Sequence, residues 1–258
     1  MEVTICTDYA EVSRLAAGIV ADMVRAMPDA VLGFATGSSP LGLYKELIRL
    51  HKEEGLDFSG ITTFNLDEYY GLDGDHPQSY RSFMNENLFN HINVPMEQTH
   101  VPSGTAEDWL EACEAYEDLI EDMGGIDVQV LGIGSDGHIA FNEPGSSLGS
   151  RTRRVYLTQQ TIEDNARFFE RREDVPTSAI SMGVGTILEA ATCVMVVSGA
   201  NKAPALAAAI EGPVTAMNTA SALQWHPDTW VFCDEAAAAD LEMRDYYNWI
   251  RKQREADS

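Results

Sequence analysis

Short apolar runs recur along this chain, each followed by a turn of small or acidic residues and then by helical periodicity. Ala30 to Ala35, Ile61 to Leu66, Val128 to Ile133, Thr192 to Ser198 and Thr229 to Cys233 are such runs. Each is too short for a core helix and is bounded by turn residues, so each reads as a buried strand. Between them, Tyr9 to Met27, Ser79 to Ile92, Ala106 to Met123 and Ala200 to Ile210 read as helices, and a terminal helix runs through Trp249. Pro40 fits the first position of a further helix, with Leu41, Tyr44, Leu47 and Ile48 at helical spacing after it. Strands alternating with helices predict an α/β fold: a doubly wound, mostly parallel sheet with helices on both faces, a Rossmann-like three-layer sandwich. No Pro-, Gly- or Ser-rich linker and no internal repeat divides the 258 residues, so one domain over 1–258 is expected.

The strand ending at Ile133 feeds Gly134-Ser-Asp-Gly-His-Ile-Ala-Phe-Asn-Glu143. Asp136, His138 and Glu143 therefore sit just past a strand end, where parallel sheets bind ligands. Histidine exchanges protons near neutral pH, and carboxylates beside it orient it and raise its basicity. The alternatives are a hydrogen-bonded loop histidine with an Asx turn at Asp136, or a metal site; one histidine without a second nearby makes the metal reading weaker.

Two other strand ends carry polar groups. Thr36-Gly37-Ser38-Ser39-Pro40 joins a strand to a helix and would present backbone N–H groups at the positive end of the helix dipole, a site for an anion such as phosphate. The plainer reading is a strand-to-helix turn capped by Ser39. Asp67 and Glu68 end the second run; adjacent strand residues point apart, so at most one faces a pocket there. Arg151, Arg153, Arg154, Arg167, Arg171 and Arg172 cluster in a chain with few basic residues. They suit either an anionic partner or ion pairs with Glu163, Asp164, Glu170 and Glu173.

The formal charge is −24, from 41 acidic and 17 basic residues. Such a field repels nucleic acid and anionic membranes, so neither is expected as a partner. Many carboxylates with only the lysines Lys45, Lys52, Lys202 and Lys252 would suit a high-salt interior. The apolar runs are too short to span a bilayer and the N-terminus does not read as a signal peptide, which predicts a cytoplasmic protein. Cys6, Cys113, Cys193 and Cys233 lack Cys-x-x-Cys spacing and read as reduced core thiols.

Thr36-Gly-Ser-Ser-Pro40, Phe64-Asn-Leu-Asp-Glu-Tyr69, Ser79-Tyr-Arg-Ser-Phe-Met84, Asp136-Gly-His-Ile-Ala-Phe-Asn-Glu-Pro144, Ser150-Arg-Thr-Arg153, Asn165-Ala-Arg-Phe-Phe169, Ser181-Met-Gly-Val-Gly185 and Ala220-Ser-Ala-Leu-Gln-Trp-His-Pro227 together resemble the glucosamine-6-phosphate deaminase family. The likeness runs through nearly the whole chain in order. It implies conversion of glucosamine 6-phosphate and water to fructose 6-phosphate and ammonium, in amino-sugar catabolism, with no cofactor and no metal. By position, Asp67 matches the family's base, which moves a proton between C2 and C1. His138 matches the ring-opening residue, supported by Asp136 and Glu143. Thr36, Gly37, Ser38, Ser39, Arg167 and Lys202 match the phosphate-binding positions. The family also implies a mobile lid near 157–176. The related 6-phosphogluconolactonases share the fold, but Glu143 and Asp67-Glu68-Tyr69 favour the deaminase. Sensor domains of this fold bind without turnover; the intact acid–base set argues against one.

Some members of the family are hexamers activated by N-acetylglucosamine 6-phosphate, so a homo-oligomer, up to a hexamer, is expected. Ser146, Ser147 and Arg153 match effector-site positions. A lysine and a threonine of that site are replaced by Val155 and Tyr156. Loss of the lysine removes a phosphate-binding charge, so weak or no activation is expected.

Overall fold

The computed structural model describes residues 1–257. In chain order the elements are β1 (Glu2–Cys6), α1 (Tyr9–Ala26), β2 (Val31–Phe34), α2 (Leu41–Glu54), β3 (Thr62–Asn65), β4 (Asp67–Tyr69), α3 (Tyr80–Asn87), β5 (Thr99–His100), α4 (Trp109–Asp122) and β6 (Val128–Leu131). They continue with β7 (Arg153–Tyr156), α5 (Gln159–Asn165), β8 (Ser178–Ser181), α6 (Val184–Leu188), β9 (Thr192–Val197), α7 (Ala203–Ile210), β10 (Thr229–Asp234) and α8 (Arg244–Asp257), with short 3-10 turns between. Among the described residues, seven strands form one sheet in the order β1-β10-β9-β6-β2-β3-β5, parallel at every pairing.

Both faces of this sheet are buried, and β9 shows why its sequence is apolar throughout. Cys193, Met195 and Val197 point into one core, while Val194 and Val196 point into the other. A strand covered on both sides cannot alternate apolar with polar residues. The first core packs α4, α6 and α7 through Tyr116, Ile120, Val184, Ile187, Leu206 and Ala209. The second packs α1 and α2 through Val12, Ala16, Val20, Leu43, Tyr44 and Leu47. Each such aliphatic side chain contributes about 1.5–3 kcal/mol on burial. The three-layer α/β sandwich expected from the periodicity is the architecture found.

Local signals set the helix starts. Asp8 caps α1 by accepting from Glu11 N–H at 2.9 Å, and Glu11 reaches back to Thr7 N–H at 2.7 Å. At α2, Pro40 is the N-cap residue, one position earlier than its φ preference suggested, and no side chain caps this helix.

A second sheet went unread in the sequence: β4-β8-β7, antiparallel. Its strands are short and partly polar, without the apolar run or alternation that marks a strand. The chain enters it directly from β3. Leu66 N–H still bonds Phe34 O at 3.1 Å, but Leu66 O accepts from Met182 N–H at 2.7 Å, so the backbone changes sheets at this residue. Asp67 follows immediately, at the carboxyl edge of the large sheet and the start of the small one.

All four cysteines are free and buried. Among the described residues no helix is long and apolar enough to cross a membrane.

The loop before β7 is fastened to the start of α6 by a close backbone approach. Val184 N–H donates to Ser150 Oγ at 3.1 Å and Gly185 N–H to Ser150 O at 2.9 Å. A Cβ on Gly183 would lie 2.0 Å from Ser150 O. Gly183→Ala is therefore expected to destabilise the fold by about 1–3 kcal/mol, since backbone must move to admit it. Thermal unfolding checks this; an unchanged Tm would contradict the close approach.

Candidate active site

The strand order reverses between β2 and β6: β3 and β5 lie beyond β2, while β9 and β10 lie beyond β6. The loops after β2 and β6 must therefore turn away from each other and leave a crevice at the carboxyl edge. A cavity of about 860 Å³ opens there. Its lining includes Thr36, Gly37, Ser38, Ser39, Asp67, His138, Arg167 and Lys202. These residues come from five separate segments of the chain.

The loop after β2 forms one wall of this cavity. Gly37 has φ +85°, a conformation that suits glycine. The Tyr9 hydroxyl, from α1, contacts Ser38 O at 3.1 Å and Ser39 O at 2.9 Å, and accepts from Gly42 N–H at 2.7 Å. The loop's carbonyls are thus held toward Tyr9. Among the described residues, the N–H groups of Gly37, Ser38 and Ser39 have no protein acceptor. Uncapped N–H groups at the start of α2 form an anion cradle. Ser39 does not act as the helix cap expected in the plainer turn reading; Pro40 takes that position with no side-chain cap. Two cations line the same cavity. Lys202 is half-buried on the turn before α7, and burial pulls its pKa down. Arg167 follows α5, with its guanidinium 4.6 Å from the centre of the Phe168 ring.

His138 lies on the loop after β6. Its Nδ1 is 2.7 Å from Asp136 Oδ1 and 3.4 Å from Glu143 Oε2. Burial lowers the His138 pKa, but hydrogen bonding to Asp136 and Glu143 and their charges outweigh it and push it up to about 9. Burial likewise opposes ionisation of Asp136, yet the histidine overrides it and holds that carboxyl at about 2. The three donor atoms are close enough to share a cation. The 2.7 Å separation is an ion-pair contact between the imidazole and the Asp136 carboxylate. Asp136 also accepts from His138 N–H at 3.1 Å, the Asx turn expected there. Asp136 and Glu143 stand behind the imidazole rather than on the cavity wall. Ala140 on the same loop has φ +50°, alone among the described non-glycine residues in being positive, so the motif holds local strain at the cavity.

Asp67 and Glu68 diverge, as adjacent strand residues must. Asp67 lines the cavity. Glu68 turns away and accepts from the N–H groups of Tyr69 (2.8 Å), Tyr80 (2.9 Å) and Arg81 (3.0 Å), anchoring the start of α3. Asp67 is 6% exposed. Burial, with a smaller push from the Glu68 charge and a partial offset from His138, raises its pKa to about 8.

Other placements are plainer. Arg153 Nη1 donates to Asn142 Oδ1 at 2.9 Å and to Arg151 O at 3.3 Å, away from the cavity. Ser147 Oγ accepts from Gly149 N–H at 3.3 Å, and Ser146 N–H donates to Glu143 O at 3.0 Å. The arginine cluster divides. Arg151 pairs with Glu117 and Glu189, Arg171 with Glu173 and Asp174, and Arg172 with Glu163, while only Arg167 reaches the cavity. One wall went unread in the sequence. Tyr69 and Tyr80 have ring centres 4.9 Å apart, Tyr80 and Phe141 stack at 6.0 Å, and Phe169 meets Tyr69 edge-on at 5.7 Å. No periodicity marks these rings, because they arrive from four separate segments.

A parallel sheet with a histidine beside two carboxylates at the crevice of its switch point defines an α/β protein with a ligand-binding cleft at the carboxyl edge. Residues 8–240 match the family described as glucosamine-6-phosphate isomerases/6-phosphogluconolactonase, and the chain belongs to that family. Among its relatives, the glucosamine-6-phosphate deaminase of Shewanella halifaxensis is 51% identical over 255 residues, covering 99% of this chain and 97% of its own. That of Alkaliphilus oremlandii is 53% identical over 234 residues, covering 91% and 97%. A solved structure of a monomeric glucosamine-6-phosphate deaminase superposes with a TM-score of 0.92 at 46% identity, covering 93% of this chain and 100% of that one.

A Cβ on Gly134 would lie 2.5 Å from His138 Nδ1 and 2.7 Å from Asp136 Oδ1. Gly134→Ala must push the imidazole off its carboxylate while leaving both cores intact. Its Tm is expected to change little, while turnover falls on the order of 100-fold, the low end for a displaced acid–base group. Parallel unfolding and steady-state assays check this.

Proposed function

We propose that this chain converts glucosamine 6-phosphate and water to fructose 6-phosphate and ammonium, in amino-sugar catabolism. The observation that carries the reading is the buried Asp67 carboxylate facing the same cavity as His138, from a different sheet. Ring opening and isomerisation need two proton-handling groups on different sides of one sugar. In this reading the phosphate seats on the N–H groups of Gly37 to Ser39, with the Thr36 hydroxyl, Arg167 and Lys202 beside it. These contacts are remote from the bonds that change, and they hold the open chain in register. His138 hands a proton to the ring oxygen and takes one from the anomeric hydroxyl, giving the C1 aldehyde. Asp136 and Glu143 stabilise the imidazolium. Asp67 takes the C2 proton, acidified by that aldehyde, and returns it to C1, while a proton passes from the C2 ammonium to O1, leaving a C1 hydroxyl and an iminium at C2. Water adds there, and ammonium leaves as the C2 ketone forms.

The rest of the reading is of one piece with this chemistry. The chain acts in the cytoplasm as a single domain, with 157–176 as a lid over the cavity. It assembles as a homo-oligomer, for which the exposed Tyr246 and Trp249 of α8 offer apolar surface. Val155 and Tyr156 leave Ser146, Ser147 and Arg153 without a phosphate-binding lysine, so N-acetylglucosamine 6-phosphate does not activate it.

Purified protein is expected to release ammonium from glucosamine 6-phosphate, and Asp67→Asn to reduce kcat by at least 100-fold with the phosphate contacts intact. Hydrolysis of 6-phosphogluconolactone without ammonium release would overturn the assignment. The pH profile follows from the two perturbed groups. Asp67 must be ionised to take the C2 proton, so kcat/KM falls as pH drops through about 8. His138 must be protonated to donate, so it also falls as pH rises through about 9. A bell-shaped profile with its maximum between these limbs is expected, and a maximum below neutrality would contradict it.

A further inference from the structure

The Tyr9 side chain crosses from the first turn of α1 to the start of α2. Its hydroxyl lies 2.9 Å from Ser39 O and 3.1 Å from Ser38 O, and it accepts from Gly42 N–H at 2.7 Å. A phenol carries one proton and spare lone pairs, so this hydroxyl gives to the loop and receives from the helix at once. Pro40 gives α2 no side-chain cap, and the Gly42 N–H turns to Tyr9 instead. The two helices approach closely here. A Cβ on Gly42 would lie 3.1 Å from Tyr9 Cε1 and 2.0 Å from Ser13 Oγ, whose proton goes to Tyr9 O at 2.7 Å. Glycine at position 42 is what lets the ring reach the loop.

Peptide planarity turns this contact into an orientation. The Ser38 carbonyl and the Ser39 N–H share one trans peptide, so they point in opposite directions. With that carbonyl on Tyr9, the Ser39 N–H points away from Tyr9. Ser38 and Ser39 line the cavity, and Tyr9 does not. The Ser39 carbonyl precedes Pro40, which has no N–H, so tying it to the same hydroxyl spends no donor. Either carbonyl, turned toward the cavity, would repel an anion there.

Resting on the reading that the substrate phosphate seats on the N–H groups of Gly37 to Ser39, we propose that Tyr9 is a positioning residue for that phosphate: its hydroxyl holds two loop carbonyls away from the anion and keeps the Ser39 N–H aimed at it. Tyr9 stands outside the cavity and acts through the loop alone, so it governs binding rather than the bond changes.

Tyr9→Phe removes the hydroxyl and keeps the ring. KM for glucosamine 6-phosphate is expected to rise about fivefold, the scale of one neutral hydrogen bond. The kcat should change little, as when binding common to ground and transition states is lost. The dissociation constant for inorganic phosphate, read by calorimetry without turnover, should weaken by the same factor. Thermal unfolding in parallel shows whether the variant is folded. Unchanged phosphate affinity in the Phe variant overturns the proposal. So does a fall in kcat at unaltered KM, which would mark a general loosening of the fold. An unaltered chain that binds phosphate, loses affinity on Tyr9→Phe and yet releases no ammonium fails the deaminase reading alone. An unaltered chain that binds no phosphate overturns the seat and the proposal with it. Should the Phe variant not fold, Tyr9→Leu, which also lacks the hydroxyl, is expected to show the same loss of phosphate affinity.

Discussion

The parallel pairing of β2 with β6 is the constraint on which the rest of the site depends. Leu32 and Gly33 lie in register with Val128 and Gln129, so both strands deliver their following loops to the same edge. Because the sheet continues in opposite directions from this pair, those loops diverge and no crossover helix covers the gap. A Cβ on Gly33 would lie 2.0 Å from Gln129 Oε1, so glycine is what lets the two strands sit side by side with a buried glutamine between them. The anion loop on one side and the His138 loop on the other are consequences of this one junction.

Environment, more than residue type, separates the roles of the carboxylates. Asp136 and Asp67 are both aspartates near one histidine, yet one is held at about 2 and the other is raised to about 8. Asp136 lies 2.7 Å from the His138 imidazole and accepts from that residue's backbone N–H. Asp67 is desolvated, lies beside Glu68 and, among the described residues, forms no salt bridge. Paired titratable groups with divergent pKa values mark acid–base sites generally. The strongly acidic chain heightens the contrast: Lys202 and Arg167 line the cavity, while most neighbouring arginines pair with surface carboxylates in contacts worth little to stability.

Much of the candidate site was legible because its groups follow recognisable strand ends. The apolar run through Ile133 located Asp136, His138 and Glu143, and the small-residue turn after Ala35 located the cavity-lining loop of Thr36, Gly37, Ser38 and Ser39. The role of Glu68 could be bounded but not assigned, since its acceptor task depends on where α3 begins. The arginine cluster was ambiguous for a related reason. Arg167 and Arg171 are four positions apart in one polar segment, and only packing of α5 over the crevice decides which one faces the cavity.

The sequence alone determined the layers of the fold and the edge at which the chemistry gathers. Buried parallel strands demand apolar runs, amphipathic helices demand 3.6-residue spacing, and both are one-dimensional patterns. The second sheet, the aromatic wall of Tyr69, Tyr80, Phe141 and Phe169, and the pKa order of Asp67, His138 and Asp136 were decided only in three dimensions. Desolvation and hydrogen bonding depend on what surrounds a group on every side. Those surroundings come from β4, α3, α5 and the loop after β6, segments that the chain separates by tens of residues and the fold brings within a few ångströms.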